Sequence, residues 1–323
     1  MHVGGRTRVA GSLLERQWPG TYFETAFRGS GMVVRIGRGE VHLHITVDGG
    51  RPLSLVRPKA GDYRIEGLTP GRHQVRVEVV SESQAGPTAF GGFYPLPGTR
   101  PLPPPRRTRQ IEFIGDSYTV GYGNTSTKGE CTTDEVWATT DSGQGIAART
   151  AARFGADYQI NAISGRGVVR NYNGGAGDTL PEAYPFALFA DKSVPDQRAG
   201  WVPQTVVIGL GTNDFSTALH AGEKWQSREA LHADFEKSFV RFVDGLRGRY
   251  PRALIVLWAT DVADGEVAAE GRRVVELMAA GGDRRIRFVA ARNLAMSGCH
   301  SHPTVADDAI IADALFAGIN AHR

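Results

Sequence analysis

The chain is poor in cysteine: only Cys131 and Cys299 occur in 323 residues. Two thiols are too few for a disulfide framework, and by number alone they do not define a redox compartment. Long apolar runs are also missing. No stretch reaches the roughly eighteen residues a membrane-spanning helix needs, so no membrane association is expected. Charge of one sign is scarce: 37 Lys and Arg stand against 34 Asp and Glu, a formal net charge of +3. The basic residues are scattered, apart from Arg106, Arg107 and Arg109. That excludes a nucleic-acid footprint. The nine histidines do not fall at zinc-ligand spacing with Cys or Glu partners, so no metal and no other cofactor is expected. No repeat appears at solenoid periods. Residues Met1 to Gly5 do not form a signal peptide, so the protein is read as cytosolic or as one whose leader has been removed.

Glycine and proline are plentiful, at 41 and 17, as an all-β module with tight turns requires. Short alternating runs recur through the first hundred residues: Tyr22 to Phe27, Gly31 to Ile36, Val41 to Val47, Pro52 to Val56, Gly61 to Glu66 and His73 to Val80. Asp48-Gly49-Gly50, Lys59-Ala60-Gly61-Asp62 and Thr69-Pro70-Gly71 punctuate them. Residues 1–100 are therefore expected to form a β-sandwich of jelly-roll type, either contacting sugar or packing on its neighbour. Residues 101–109, with the run Pro101-Leu102-Pro103-Pro104-Pro105, read as a semi-rigid linker kept solvated by its arginines.

From Gln110 the pattern changes to strands alternating with helices. Strands are expected over 110–114, 156–163, 204–210, 253–258 and 285–289, and helices over 142–154, 230–250, 265–280 and 305–319. This is an α/β domain over 110–323 with a doubly wound parallel sheet. A long irregular segment, 170–203, is rich in Gly, Pro and aromatics. Loops of that length inside a domain usually carry function.

The stretch Gly115-Asp116-Ser117-Tyr118-Thr119-Val120-Gly121-Tyr122-Gly123-Asn124 follows the first of these strands. A strand running into Gly-Asp-Ser makes a tight turn into a helix. The turn lifts the Ser117 hydroxyl to the carboxyl edge of the sheet, where open α/β folds bind ligands. Gly-Asp-Ser alone also suits an ordinary turn and cap. Three further blocks give it partners. Ser164-Gly165-Arg166-Gly167 offers a backbone N–H. Gly209-Leu210-Gly211-Thr212-Asn213-Asp214 delivers the Asn213 amide, with Asp214 capping the next helix. Cys299-His300-Ser301-His302-Pro303 supplies an imidazole as base, His302 in preference to His300.

Gly-Asp-Ser, Ser-Gly-Arg-Gly, Gly-Thr-Asn-Asp and His-Pro, in that order, resemble the SGNH (GDSL-type) hydrolase superfamily. With the sandwich in front and the extended Gly-Asp-Ser-Tyr-Thr-Val-Gly-Tyr-Gly-Asn block, the chain is most similar to carbohydrate esterase family 2. The resemblance implies a serine esterase that removes O-acetyl groups from polysaccharides such as xylan or glucomannan. Ser117 is then the nucleophile and His302 the base. The oxyanion donors are the Ser117 and Gly165 N–H groups and the Asn213 side chain. The implied partner is an acetylated polysaccharide or oligosaccharide. A polymeric substrate implies a secreted or periplasmic protein, and a monomer is expected.

Two positions depart from the family pattern. Many members carry an Asp three residues before the His, where this chain has Cys299. Either a backbone carbonyl orients His302 or a distant acid such as Asp261 does. The aromatic residue that often precedes the His is replaced by Ser301, so stacking on sugar is assigned to Trp258, Trp201 or Tyr172. Within the implied fold, Cys131 and Cys299 lie at one end of the sheet and are expected to form a disulfide. Two alternatives stay open: a lipase or thioesterase on the same fold, and an inert carbohydrate-binding protein.

Overall fold

The structure, a computed structural model, describes residues 1–196 and 200–321, so 197–199 of the long irregular segment and the last two residues lie outside it. Its first hundred residues form two antiparallel sheets. One runs His2–Gly4, Tyr22–Gly29, Gly71–Val79, His42–Val47, Leu53–Val56 in spatial order. The other runs Arg8–Ala10, Leu13–Arg16, Thr88–Pro95, Met32–Ile36, Gly61–Ile65. Alternation decides which side chains meet between them. In Gly71–Val79 every second residue from His73 is buried, which is the period of a half-buried strand. Phe23 from one sheet stacks on Phe90 from the other, centroids 4.0 Å apart. Thr88–Pro95 was not expected as a strand. In the structure its register shifts between Phe90 and Gly92, as at a β-bulge.

The second half holds a parallel sheet in the order Asp157–Ala162, Gln110–Gly115, Thr205–Gly209, Leu254–Ala259, Ile286–Ala290. Helices cover both faces, which is why Thr205–Gly209 and Leu254–Ala259 run almost continuously apolar, while Glu112, Gln159 and Asn161 are polar side chains buried in the neighbouring strands. Ile114, Ile208 and Leu257 face a core shared with Arg228–Arg249 and Glu266–Ala280. Phe113, Val207 and Val256 face a second core with Ile146–Arg153 and Val305–Asn320. Phe235, fully buried in the first core, is the kind of side chain whose truncation to Ala costs about 3–5 kcal/mol.

The linker differs from expectation. Pro101 and Leu102 belong to a strand, Arg100–Leu102, paired with Tyr22–Gly29. Arg107 is only partly exposed. It binds Glu24 at 2.7 Å and Asp157 at 2.9 Å, and so ties the sandwich to the parallel sheet. Arg109 lies over the Phe154 ring, 3.8 Å from its centroid. On the neighbouring strand Gln110–Gly115, Glu112 pairs with fully buried Arg6 at 3.2 Å, and Arg6 also pairs with Asp196 at 3.1 Å. Removing either partner of such a pair strands a buried charge, so the two halves are held in one relation.

Candidate active site

Strand register assembles the site. Gly115 pairs with Ala162 on one side and Gly209 on the other. Ser117, Gly165 and Asn213 each follow within a few residues, so all three lie at the carboxyl edge. Asp116 caps the short helix Ser117–Val120 through the Tyr118 N–H, 3.1 Å away. At the first helical position the Ser117 N–H has no intrahelical acceptor. The turn requires glycine at 115, since a Cβ there would fall 2.0 Å from Thr119 Oγ1.

His302 Nε2 lies 2.8 Å from Ser117 Oγ. Its Nδ1 lies 2.9 Å from the Cys299 carbonyl and 3.0 Å from the His300 carbonyl. Carbonyls only accept, so Nδ1 carries the proton and Nε2 presents its lone pair to the Ser117 hydroxyl. Two backbone oxygens thus occupy the place of the orienting carboxylate, and Asp261 makes no hydrogen bond to the ring among the described residues. That geometry needs an unusual turn: His300 and Ser301 both have positive φ, 53° and 58°, a conformation that non-glycine residues hold only when the surroundings enforce it. Here they do. The His300 N–H donates to the Gly129 carbonyl at 2.6 Å, Tyr122 Oη meets His300 Nδ1 at 3.0 Å, and Cys299 is disulfide-bonded to Cys131. The helix after Pro303 starts with a capping box between Thr304 and Asp307. Burial lowers the His302 pKa to about 4, against the raising effect of the two carbonyls.

Asn213 is buried, and its Nδ2 donates to the Arg166 carbonyl at 2.9 Å and more loosely to Asp116 Oδ2 at 3.3 Å. Asp214 does not cap the following helix. It turns back and accepts the backbone N–H groups of Val168, Val169 and Arg170 at 2.9–3.1 Å, which holds the loop that begins at Gly165.

Of the three candidate sugar platforms, two are core. Trp258 is 4% exposed and packs so closely that a Cβ on Gly209 would sit 2.4 Å from its indole nitrogen. Trp201 is 9% exposed and donates to Glu112 at 3.1 Å. Both side chains are members of the cores that flank the sheet, which leaves little ring surface exposed for stacking. Tyr172 is 57% exposed, and its backbone N–H donates to the Gly165 carbonyl at 2.9 Å.

Two ring contacts escaped the sequence reading. Tyr118 meets His302 edge-on at 5.3 Å, and Tyr122 lies 4.3 Å from the same ring. Their spacing of four along the chain after Ser117 was the available signal. A cleft of about 610 Å³ opens beside them, lined by Tyr122, His300 and Trp137 and by Glu82 and Gln84 of the sandwich. Neither that cleft nor a larger cavity of about 800 Å³, lined by Tyr184, Phe242 and Arg249, has Ser117 or His302 among its lining residues; the smaller one is bordered by Tyr122 and His300, which contact the His302 ring and backbone segment.

Comparison with known proteins gives the family. Residues 3–105 match the Carbohydrate esterase 2 N-terminal family and residues 113–309 the GDSL-like Lipase/Acylhydrolase family. The chain is 44% identical over 324 residues to an acetylxylan esterase / glucomannan deacetylase of Cellvibrio japonicus, spanning 98% of this chain and 89% of that protein. The chain belongs to carbohydrate esterase family 2. It is 31% identical to the cellulase/esterase CelE of Acetivibrio thermocellus, over 94% of this chain but 37% of that longer protein. Among solved structures, a carbohydrate esterase described as having divergent catalytic and non-catalytic binding functions superposes with TM-score 0.94 at 40% identity, covering 100% of this chain and 97% of that one. A family two esterase from Clostridium thermocellum in complex with cellohexaose gives TM-score 0.85 at 28% identity, covering 99% and 98%. The protein is thus a carbohydrate esterase with an antiparallel sandwich in front of a GDSL-type domain. No helix among the described residues is long and apolar enough to cross a membrane.

Proposed function

We propose that this family 2 esterase removes O-acetyl groups from neutral plant polysaccharides, acetylated xylan or glucomannan, through an acetyl-Ser117 intermediate. The observation that carries the reading is the 2.8 Å contact between Ser117 Oγ and His302 Nε2, with Nδ1 committed to two carbonyls. His302 takes the Ser117 proton as Oγ attacks the acetyl carbonyl carbon. The tetrahedral oxyanion is held by the Ser117 and Gly165 N–H groups and by Asn213, which exchanges its 3.3 Å contact with Asp116 for the substrate. Collapse expels the sugar oxygen, which takes the proton from His302. A water then gives its proton to Nε2, attacks the acyl carbon and releases acetate, and Ser117 regains its proton.

Both partners of the dyad and all three oxyanion donors come from one chain, which supports action as a monomer. A polymeric substrate favours a location outside the cytoplasm, secreted or periplasmic. Tyr172 is the sugar platform that its exposure and its place beside Gly165 favour. The aligned dyad argues against an inert binding protein.

The test is hydrolysis of p-nitrophenyl acetate and octanoate, together with acetate release from acetylated xylan and glucomannan. Acetate activity that vanishes in Ser117→Ala is expected. A preference for octanoate points to a lipase, and unchanged turnover in Ser117→Ala ends the reading.

A further inference from the structure

The sandwich reaches into the hydrolytic site through one short segment, and its contacts fall on a single residue of the partner loop. Glu82 Oε1 accepts the backbone N–H of Ser164 at 2.8 Å. Gln84 Nε2 donates to the Ser164 carbonyl at 3.3 Å and to Glu82 Oε1 at 3.1 Å. Both backbone polar groups of Ser164 are therefore held by side chains about eighty residues earlier, from the other domain.

Ser164 precedes Gly165, and that fixes the consequence. The Ser164 carbonyl and the Gly165 N–H belong to one peptide unit. A trans peptide is planar, with C=O and N–H pointing to opposite sides. Whatever holds the carbonyl aims the N–H. Gly165 has φ +82°, so the chain reverses there, and its own N–H makes no hydrogen bond within the protein among the described residues. Glycine at that angle places little restraint of its own on the peptide. The restraint is external.

We infer that Gln84, braced by Glu82, is a positioning residue for the esterase reaction: the pair orients the Ser164–Gly165 peptide and so aims the Gly165 N–H at the oxyanion. The sandwich is on this view part of the hydrolytic machinery rather than only a sugar-binding or packing module. Burial raises the Glu82 pKa, opposed by the Ser164 N–H. The inference rests on the proposed Ser117–His302 reading.

The experiment measures kcat and KM of the full chain on p-nitrophenyl acetate, an ester with no glycan to contact the sandwich. Gln84 is exposed, so Gln84→Ala folds as the parent does. A misaimed donor retains part of its effect, whereas a deleted one costs about 10²–10³ in rate. Gln84→Ala and Glu82→Ala are expected to lower kcat about tenfold with KM within about twofold, a partial loss on that scale. Gln84→Glu, which keeps the shape and loses the donor, falls with them. Glu82→Gln, which keeps an acceptor for Ser164, recovers most of the kcat lost in Glu82→Ala. Thermal midpoints are recorded beside each rate, and Glu82→Gln carries the test if Glu82→Ala fails to fold. The inference is overturned if Gln84→Ala and Gln84→Glu keep kcat within twofold of the parent. It is also overturned if they lose activity only on polysaccharide, which makes Gln84 a sugar contact, or if Glu82→Gln falls as far as Glu82→Ala. Ser117→Ala is the control: should it stay active, the underlying reading has failed, whereas an inert Ser117→Ala beside a normal Gln84→Ala refutes the positioning role alone.

Discussion

The carbonyl oxygen of Cys299 lies 2.9 Å from Nδ1 of His302, so the residue that orients the base is also one end of the disulfide. A cross-link and a proton acceptor are thereby coupled through three residues of backbone. The positive φ angles at His300 and Ser301 show how tightly that backbone must be held for both carbonyls to face the ring.

Breaking the bridge should therefore affect rate as well as stability. The bridge closes 168 residues, and loop-closure entropy on that scale stabilises by about 5 kcal/mol in the chain-entropy model. Cys131→Ser should shift urea denaturation accordingly and lower kcat on p-nitrophenyl acetate under conditions where it stays folded. Alkylation of the denatured parent without reductant should add no mass. Two alkylated thiols before reduction would remove the basis for the prediction.

The pH profile should have a low acid limb. His302 acts only when neutral, and burial favours the neutral form, with a pKa of about 4. Protonation switches it off, so kcat/KM rises as pH increases through about 4 and is level from pH 5 to neutrality, with no break near the ordinary histidine value of about 6.5. A profile on p-nitrophenyl acetate between pH 3.5 and 8 checks this. An inflection at 6 or above contradicts it.

Asn213→Ala should fold and bind yet turn over slowly. Losing one oxyanion donor costs about 10²–10³ in kcat, and the loss should leave KM nearly unchanged. The amide's contact with the Arg166 carbonyl at 2.9 Å also disappears, so thermal melting is measured beside the kinetics to separate the two effects.

Asp214→Asn should destabilise. The carboxylate collects backbone N–H groups from Val168, Val169 and Arg170, and an amide presents its own N–H₂ to at least one of them. A buried unsatisfied donor costs about 1–3 kcal/mol, more where the partner was charged. Urea denaturation reads the shift, and a change below 0.5 kcal/mol would count against it.

Of the three candidate platforms, Tyr172→Ala alone is expected to raise KM for an acetylated oligosaccharide while leaving p-nitrophenyl acetate untouched. Trp258→Ala and Trp201→Ala should act through stability, since both side chains are buried, and truncating a buried Trp costs about 3–5 kcal/mol. Parallel rates on the two substrates, with melting curves, distinguish the cases.

Much of this was legible in the residues themselves. Hydrophobic period separated an alternating first half from a second half in which short apolar strands alternate with helices. Gly-Asp-Ser, Ser-Gly-Arg-Gly, Gly-Thr-Asn-Asp and His-Pro marked the strand ends, because turn and cap chemistry is local. What a side chain touches is not local. Trp258 and Trp201 looked available and are core. Tyr118 and Tyr122 had no role assigned to them and flank His302. Arg107 looked solvated and joins the two halves. Composition and pattern alone determined two layered domains and a serine at the edge of a parallel sheet. Only the tertiary structure decided what orients His302 and that Glu82 and Gln84 hold Ser164. Those contacts join residues far apart in sequence, and whether they form depends on how the two domains pack.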